Sequence, residues 1–94
     1  MENIQQNMIQ GRENISINKY NDKGNKHGYW ETYYTNGNLW CRGNYLDGLL
    51  DRFWEVYRYN GIIGHKGCYV NSKRQFYWEN YSEKGELTIK EFYL

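Results

Sequence analysis

Three glutamates recur every 24 residues and are the chain's strongest candidates for acid–base chemistry: Glu31, Glu55 and Glu79. In hairpins that reverse near the following glycines, each would face a base; these bases are Arg42, Lys66 and Lys90. Neighbouring carboxylates would lie two strands apart, about 9–10 Å on standard sheet spacing. Because each carboxylate has its own cation, the pattern favours a ladder of salt bridges over catalysis.

The other reactive residue types form no recognisable site. His27 and His65 occupy different positions of the 24-residue period and have no Cys or carboxylate at metal-ligand spacing. Cys41 and Cys68 lie 27 residues apart, outside any CxxC motif, which favours a reduced compartment. The glycines of segment 61–67 precede no helix that could complete a phosphate loop. The sequence therefore predicts no enzyme, no metal and no cofactor.

The 24-residue period extends far beyond the glutamates. It also relates Trp30, Trp54 and Trp78; Tyr33, Tyr57 and Tyr81; Gly37, Gly61 and Gly85; and Tyr45, Tyr69 and Tyr93. A fixed period of this length indicates a repeat architecture. We expect full repeats at 28–51, 52–75 and 76–94, and a half repeat at 13–27, where alternating Ile15, Ile17 and Tyr20 predict a strand over 13–20. Residues 1–12 are expected to be a flexible or capping segment.

Composition assigns these repeats to the all-β class. The chain has no Ala and no Pro but eleven Tyr and four Trp, a bias that disfavours helices and favours strands. Each full repeat contains two aromatic segments around a Gly-containing turn. Counting these segments predicts seven strands, one from the half repeat and three hairpins.

The first hairpin allows its register to be predicted. A two-residue turn at Asn36-Gly37 is the favoured interpretation, since both central residues need positive φ. It pairs Glu31 with Arg42, Trp30 with Gly43 and Tyr33 with Trp40. A type I turn with a glycine bulge is the alternative, and it would shift the pairing by one residue.

In the favoured register the two faces differ in character. One face carries Trp30, Leu39, Gly43, Tyr45 and their repeats, with the Trp of the first two hairpins over its cross-strand Gly. The other carries Glu31, Tyr33, Arg42 and their repeats, and is expected to be wet. Trp40 departs from the repeat, because Gly64 and Thr88 occupy its equivalent positions. It either marks a contact surface or packs against Tyr33.

Charge limits the partners that the chain could attract. The net charge is +1 with both signs interspersed, so no global field recruits nucleic acid or acidic lipid. The cation column and its tyrosines resemble a single-strand binding platform, but the facing glutamates cancel its charge. Loop cations suggest contact with anionic lipid head groups as an alternative: Lys23, Lys26, Lys73 and Arg74. Segment 1–10 is polar and carries no secretory signal, so a cytoplasmic protein is expected, of a bacterial cell or a virus-infected host.

The pattern Gly-x-Trp-Glu-x-Tyr-Tyr-x-Asn-Gly-x-Leu…Gly-Asn-Tyr-x-Asp-Gly resembles the MORN (membrane occupation and recognition nexus) repeat. It is most similar to the variant of bacterial MORN-like antitoxins and large-virus MORN proteins. The likeness covers residues 13–94 and weakens where Arg52, Ser72 and Glu91 replace glycines of the pattern. It implies an elongated antiparallel β-meander of stacked hairpins and a non-enzymatic scaffold or binding role.

The expected function is therefore protein binding, as an antitoxin, immunity protein or viral (phage) inhibitor that occludes its partner with the sheet face or an edge strand. A homodimer through the edge strands would also complete a short repeat array. A scaffold that binds anionic phospholipid is the alternative, with single-stranded nucleic acid a weaker one. The candidate partner-binding residues are Tyr33, Trp40, Arg42, Leu49, Leu50, Tyr57, Tyr59, Lys66 and Phe92.

Overall fold

The computed structural model describes residues 17–94, which form one seven-stranded antiparallel sheet with the strands in sequence order. The strands are β1 (Lys19–Tyr20), β2 (Lys26–Tyr33), β3 (Leu39–Leu46), β4 (Leu49–Tyr57), β5 (Ile63–Val70), β6 (Lys73–Tyr81) and β7 (Leu87–Tyr93). This confirms the predicted all-β meander. The radius of gyration, 15.5 Å, exceeds the about 12 Å expected of a compact domain of this length. The sheet is a single elongated layer.

The first predicted strand, 13–20, is represented by the two residues of β1. Residues 13–16, and the segment 1–12 expected to be flexible or capping, lie outside the described residues. Within the described part, the Asn18 side chain extends the pairing of β1 with β2, because its amide and carbonyl groups bond the backbone of Glu31 at 3.0 and 2.8 Å.

The hairpin turns differ from the favoured two-residue prediction. The Gly37 N–H donates to the Tyr34 carbonyl (2.9 Å), and the Tyr34 N–H donates to the Asn38 carbonyl (2.8 Å). With Gly37 at φ 91°, this is a four-residue turn followed by a glycine bulge. The resulting shift in strand register falls between Thr32 and Tyr33, next to the turn, so the pairing of the residues before Tyr33 is unaffected. Segments 58–62 and 82–86 repeat the same hydrogen bonds.

Further from the turns the predicted register holds. Trp30 pairs with Gly43, Glu31 with Arg42 and Glu79 with Lys90. The predicted pairing of Tyr33 with Trp40 is wrong, because the bulge places Leu39 opposite Tyr33. Two-residue turns do occur, but between repeats: Asp47-Gly48 and Asn71-Ser72 each have positive φ at both positions.

Each full repeat begins with a residue in the left-handed region. These residues are Gly28 (φ 86°), Arg52 (φ 66°) and Phe76 (φ 62°), which are 24 residues apart. At the second and third positions the ladder to the preceding strand is irregular, with shifts between Gly43 and Asn44 and between Lys66 and Cys68. Bulges of this kind redirect the next side chain. Glycine accepts this backbone without strain, whereas Arg52 and Phe76 do not.

The core consists of tryptophans laid over glycines. Among residues 17–94 the buried hydrophobic side chains are Trp54 and Trp78, and Trp78 is fully enclosed. A Cβ on Gly43 would meet the Trp54 ring, and one on Gly67 would meet the Trp78 ring. Each glycine is thus covered by the Trp of the next repeat, not by the Trp of its own hairpin as predicted. The rings therefore join one hairpin to the next.

The tryptophan face, defined by Trp30, Trp54 and Trp78, continues as an edge-to-face aromatic row. Tyr45 lies between Trp30 and Trp54, with ring centroids 6.1 and 5.6 Å away. Tyr69 packs on Trp78 at 4.9 Å. This confirms the predicted division of the two faces, since Glu31, Tyr33 and Arg42 lie on the other side.

Candidate functional site

The tyrosine–glutamate face is the side of the sheet opposite the tryptophans. Its rows follow from the alternation of side chains along each strand, and the 24-residue period carries them through β2 to β7. The rows comprise Tyr29, Phe53 and Tyr77; Glu31, Glu55 and Glu79; Tyr33, Tyr57 and Tyr81; and the cations Arg42, Lys66 and Lys90. Five of the predicted partner-binding residues lie here: Tyr33, Arg42, Tyr57, Lys66 and Phe92.

The charges form a ladder whose contacts differ from the predicted one. The Arg42 Nε lies 2.5 Å from the Oε1 of Glu55, which belongs to the next hairpin. The predicted ion pair was with Glu31, in the same hairpin as Arg42. Glu79 lies between two lysines, with the Lys66 Nζ at 3.9 Å and the Lys90 Nζ at 3.7 Å. Antiparallel pairing makes this possible, because Arg42 is in register with Glu55 on its other side. Each glutamate therefore has a different set of partners.

Tyrosine hydroxyls complete the carboxylate bonding. Tyr33 donates to Glu31 at 2.5 Å, Tyr57 to Glu55 at 2.9 Å, and Tyr81 to Glu79 at 2.5 Å. Each pair is two residues apart in one strand, so the alternation of the strand alone aligns them. Bonding to the carboxylate stabilises its charged form.

These hydroxyl bonds shift the pKa of both partners. The Tyr81 hydroxyl lowers the pKa of Glu79, and the charges of Lys66 and Lys90 act in the same direction. The hydrogen bond to Glu79 in turn raises the pKa of Tyr81 to about 12. Bonds from Tyr33 and Tyr29 likewise lower the pKa of Glu31. Glu55 is buried beneath its partners, although the face was expected to be wet throughout.

An exposed aromatic row borders the ladder and was missed by the sequence prediction apart from Phe92. Phe53, Tyr77 and Phe92 are 50%, 57% and 53% exposed, and Tyr77 packs edge-to-face on Phe92 with ring centroids 4.8 Å apart. The 24-residue spacing of Tyr29, Phe53 and Tyr77 was the signal that could have identified the row. Large exposed rings on one surface are typical of binding sites.

Two members of this row, Phe53 and Tyr77, line a depression of about 230 Å³ between the second and third hairpins. Its lining consists of Phe53, Lys66, Gly67, Cys68, Tyr77, Glu79 and Lys90. Aromatic rings thus meet two ammonium groups and one carboxylate. The depression is below the about 300 Å³ of the smallest ordinary small-molecule pockets. It is the size of a single side chain.

Trp40 and Tyr59 lie apart from this depression, beside the hairpin turns. Tyr34 joins them: its ring stacks on Trp40 at 5.6 Å and meets Tyr59 edge-on at 5.2 Å. The alternative packing of Trp40 against Tyr33 is therefore replaced by stacking on Tyr34. The Tyr34 hydroxyl donates to the Tyr57 carbonyl at 2.6 Å, and the Arg58 guanidinium bonds the Tyr81 carbonyl in the same way. These side chains tie successive turns together.

Leu49 and Leu50 lie at the opposite end of the strands. Leu49 pairs with Leu46 across the Asp47-Gly48 turn, and Leu50 pairs with Tyr45. The Leu50 N–H donates to the Ser72 hydroxyl at 2.9 Å, which ties this turn to the next. The nine predicted partner-binding residues therefore fall into three separate groups rather than one site.

The cations of the lipid alternative are mostly engaged by other residues. The Lys23 Nζ lies 3.4 Å from Asp47. The Lys26 ammonium lies over the Trp30 ring at 4.7 Å, and the Arg74 guanidinium over the Trp78 ring at 4.4 Å. Lys73 is exposed at the turn. Three of the four cations thus contact different groups of the protein: Asp47, Trp30 and Trp78.

Other reactive groups are dispersed. Cys41 and Cys68 are both free, and burial raises the pKa of the Cys41 thiol. Burial, with Arg74 and Arg58 nearby, lowers the pKa of His65. Within residues 17–94, no three His, Cys, Asp or Glu side chains are grouped to hold a metal ion. The same residues include no helix long and apolar enough to cross a membrane.

Comparison with protein-family models finds none that matches this chain. Searches of curated proteins and of solved structures give no significant match either. The MORN resemblance therefore stays a prediction from the residues of the repeat.

Proposed function

We propose that the chain is a non-enzymatic module that binds another protein and occludes it with the tyrosine–glutamate face. The observation that carries this proposal is the exposed row of Phe53, Tyr77 and Phe92 beside an ordered charge ladder. Interface centres are enriched in such aromatic residues and ringed by polar groups. The role would be that of an antitoxin, immunity protein or viral inhibitor acting in the cytoplasm.

A one-layer sheet gives the proposal an energetic reason. Domains normally bury the apolar face of a sheet against a second layer. Here Trp54 and Trp78 are enclosed by aromatic packing on the tryptophan face, although Phe76 and Ile89 stay exposed there. On the opposite face none of the three rings of the aromatic row is enclosed, and no second layer covers them among residues 17–94. A protein partner laid on that face would supply one.

The face is a better candidate than the β7 edge. Six of the seven β7 residues are exposed, but Lys90 and Glu91 lie in its middle. Charges on an edge strand discourage pairing with another chain. Homodimerisation through the edges is therefore the weaker proposal, and so is lipid binding by the dispersed cations.

The face is also unsuited to acid–base catalysis. Tyrosine hydroxyls, with nearby cations acting in the same direction, lower the pKa values of Glu31 and Glu79 and so favour their ionised form. A general acid needs the opposite shift at neutral pH. The same bonding makes a rigid, preorganised surface, which lowers the cost of association.

Site-specific photocrosslinking in the native host tests the proposal. A benzophenone amino acid replaces Phe53 or Tyr77 on the tyrosine–glutamate face, or Ile89 on the tryptophan face as a matched control. All three positions are exposed and aromatic or apolar, so the fold should accept the probe. We expect one protein adduct from the first two positions and none from Ile89. Adducts from Ile89 alone would contradict the proposed surface, and lipid adducts in place of protein would favour the alternative.

A further inference from the structure

The residues that line the depression between the second and third hairpins have equivalents one repeat earlier, and the differences between the two sets are informative. Moving its lining back by 24 residues gives Tyr29, Arg42, Gly43, Asn44, Phe53, Glu55 and Lys66. The repeat backbone is the same in both places. What differs is the chemistry of the side chains.

In the earlier repeat the polar groups are satisfied by one another. The Tyr29 hydroxyl donates to Glu31 at 2.8 Å, and Arg42 is bonded to Glu55 at 2.5 Å. Asn44 adds a further amide. The Tyr29 hydroxyl and the Arg42 guanidinium are therefore already engaged and are not free to bind a ligand.

In the later repeat two substitutions remove polar groups, while Tyr77, at the position of Phe53, adds a hydroxyl. Phe53 replaces the tyrosine and has no hydroxyl to bond a glutamate, while Cys68 replaces the asparagine. The result is a largely apolar wall formed by Phe53, Cys68 and the Tyr77 ring, with the Lys90 ammonium 4.8 Å from the centre of that ring. An incoming apolar side chain would displace water from this wall without breaking any hydrogen bond.

The charge at the rim is unbalanced. Lys66 and Lys90 share the single carboxylate of Glu79, at 3.9 and 3.7 Å, so the three groups sum to +1. These separations are at the outer limit of an ion pair, and both lysine side chains are more than a third exposed. Exposed contacts of this kind are weak. A second carboxylate could therefore bind both ammonium groups without displacing Glu79.

We propose that this depression receives an acidic–apolar segment of the partner protein. One apolar side chain would pack against Phe53, Cys68 and Tyr77, and a neighbouring carboxylate would bridge the Lys66 and Lys90 ammonium groups. The inference rests on the proposed function and adds the chemistry of the partner. It follows from charge complementarity together with the size of the depression, which suits one side chain.

A peptide titration followed by amide NMR shifts tests it. The probe is acetyl-Gly-Asp-Phe-Asp-Gly-amide, and its control has Asn for both Asp residues. We expect the acidic peptide to shift the amides of Lys66, Cys68, Tyr77 and Lys90 in a saturable way. Binding should weaken at least tenfold for the Asn peptide and for the Lys66→Gln/Lys90→Gln variant, whereas Lys73→Gln should bind like the wild type.

The outcomes separate this inference from the proposed function. Equal binding of both peptides, shifts elsewhere, or no shifts at all would overturn the acidic–apolar preference. Photocrosslinking at Phe53 and Tyr77 uses no peptide, so it can succeed when the titration fails. Crosslinking that fails from both positions would instead overturn the proposed function.

Discussion

Replacing Gly67 by alanine should destabilise the fold sharply, because the Trp78 ring occupies the space of the new methyl group. A Cβ at this position would stand 2.5 Å from the Trp78 Cγ and closer still to the Cδ2 and Cε2 atoms. The ring has little freedom to move. It is fully buried, its Nε1–H donates to the Cys68 carbonyl at 3.0 Å, and Tyr69 packs against its edge.

The magnitude follows from two opposing effects. Overpacking a close-packed site costs about 1–3 kcal/mol, and the overlap here places the cost near the upper end. Alanine also restricts the unfolded chain, which offsets roughly 0.4–1 kcal/mol. We expect Gly67→Ala to lower the free energy of unfolding by about 2 kcal/mol, as measured by urea unfolding followed by circular dichroism.

Gly64 provides a control on the same strand. Its Cβ would meet the Val56 carbonyl at 3.2 Å, a tight contact without the ring overlap found at Gly67, and the flexible Arg58 side chain at 3.7 Å. Gly64→Ala should therefore cost at most about 1 kcal/mol, the low end of overpacking. In a Trp78→Phe background the smaller ring leaves room, and the Gly67→Ala cost should fall by more than half. A neutral Gly67→Ala, or one that costs the same in both backgrounds, would refute the packing of Trp78 over Gly67.

Two further predictions concern the backbone and the charge ladder. Arg52→Gly should raise the free energy of unfolding by about 0.5–1 kcal/mol, because glycine removes the left-handed strain at φ 66°. Gly28→Ala, at the equivalent position, should lower it. If urea unfolding showed Arg52→Gly to be destabilising and Gly28→Ala to be stabilising, the left-handed bulge would be contradicted. Because the pKa of Tyr81 is raised to about 12 from 10.0 by its bond to Glu79, the stability it supplies should be full below pH 10 and lost as the pH rises through 12. Tyr81→Phe should remove this loss of stability at alkaline pH. It should also remove the phenolate absorbance that appears near pH 12 in an ultraviolet titration. If Tyr81 titrated near pH 10 instead, its hydroxyl would not be hydrogen-bonded to Glu79.

Much of the fold was predictable because the period is strict. The recurrence of Trp30, Glu31 and Tyr33 at 24 residues indicates the number of hairpins, and the glutamates with their bases indicate the register away from the turns. Turn chemistry does not decide between a two-residue turn and a turn with a glycine bulge. Gly37 has positive φ in both turns, so its presence fits either.

The bulges that begin the repeats were harder to predict. Glycine is the residue that this left-handed backbone favours, and Gly28 fits it. Arg52 and Phe76 occupy the same position in the next two repeats, so the sequence does not show that the position has positive φ. Such strained positions are expected where function or packing outweighs local preference. The side chains that follow these bulges, Phe53 and Tyr77, are the aromatic residues that line the depression.

The core and the ladder depended on contacts between repeats. Gly43 is in register with Trp30 on one side and Trp54 on the other, so the sequence pattern does not decide which ring covers it. Arg42 has the same choice between Glu31 and Glu55. In both cases the next repeat provides the partner, a preference that only the packed sheet reveals.

Side-chain footprinting of the purified complex tests the binding face most directly. Hydroxyl radicals modify exposed aromatic residues, and Phe53, Tyr77 and Phe76 are exposed to similar degrees in the free chain. With the partner bound, we predict that modification of Phe53 and Tyr77 falls at least fivefold while that of Phe76, which shares the tryptophan face, stays unchanged. Protection of Phe76 with Phe53 and Tyr77 still reactive would contradict the proposal that the tyrosine–glutamate face binds the partner.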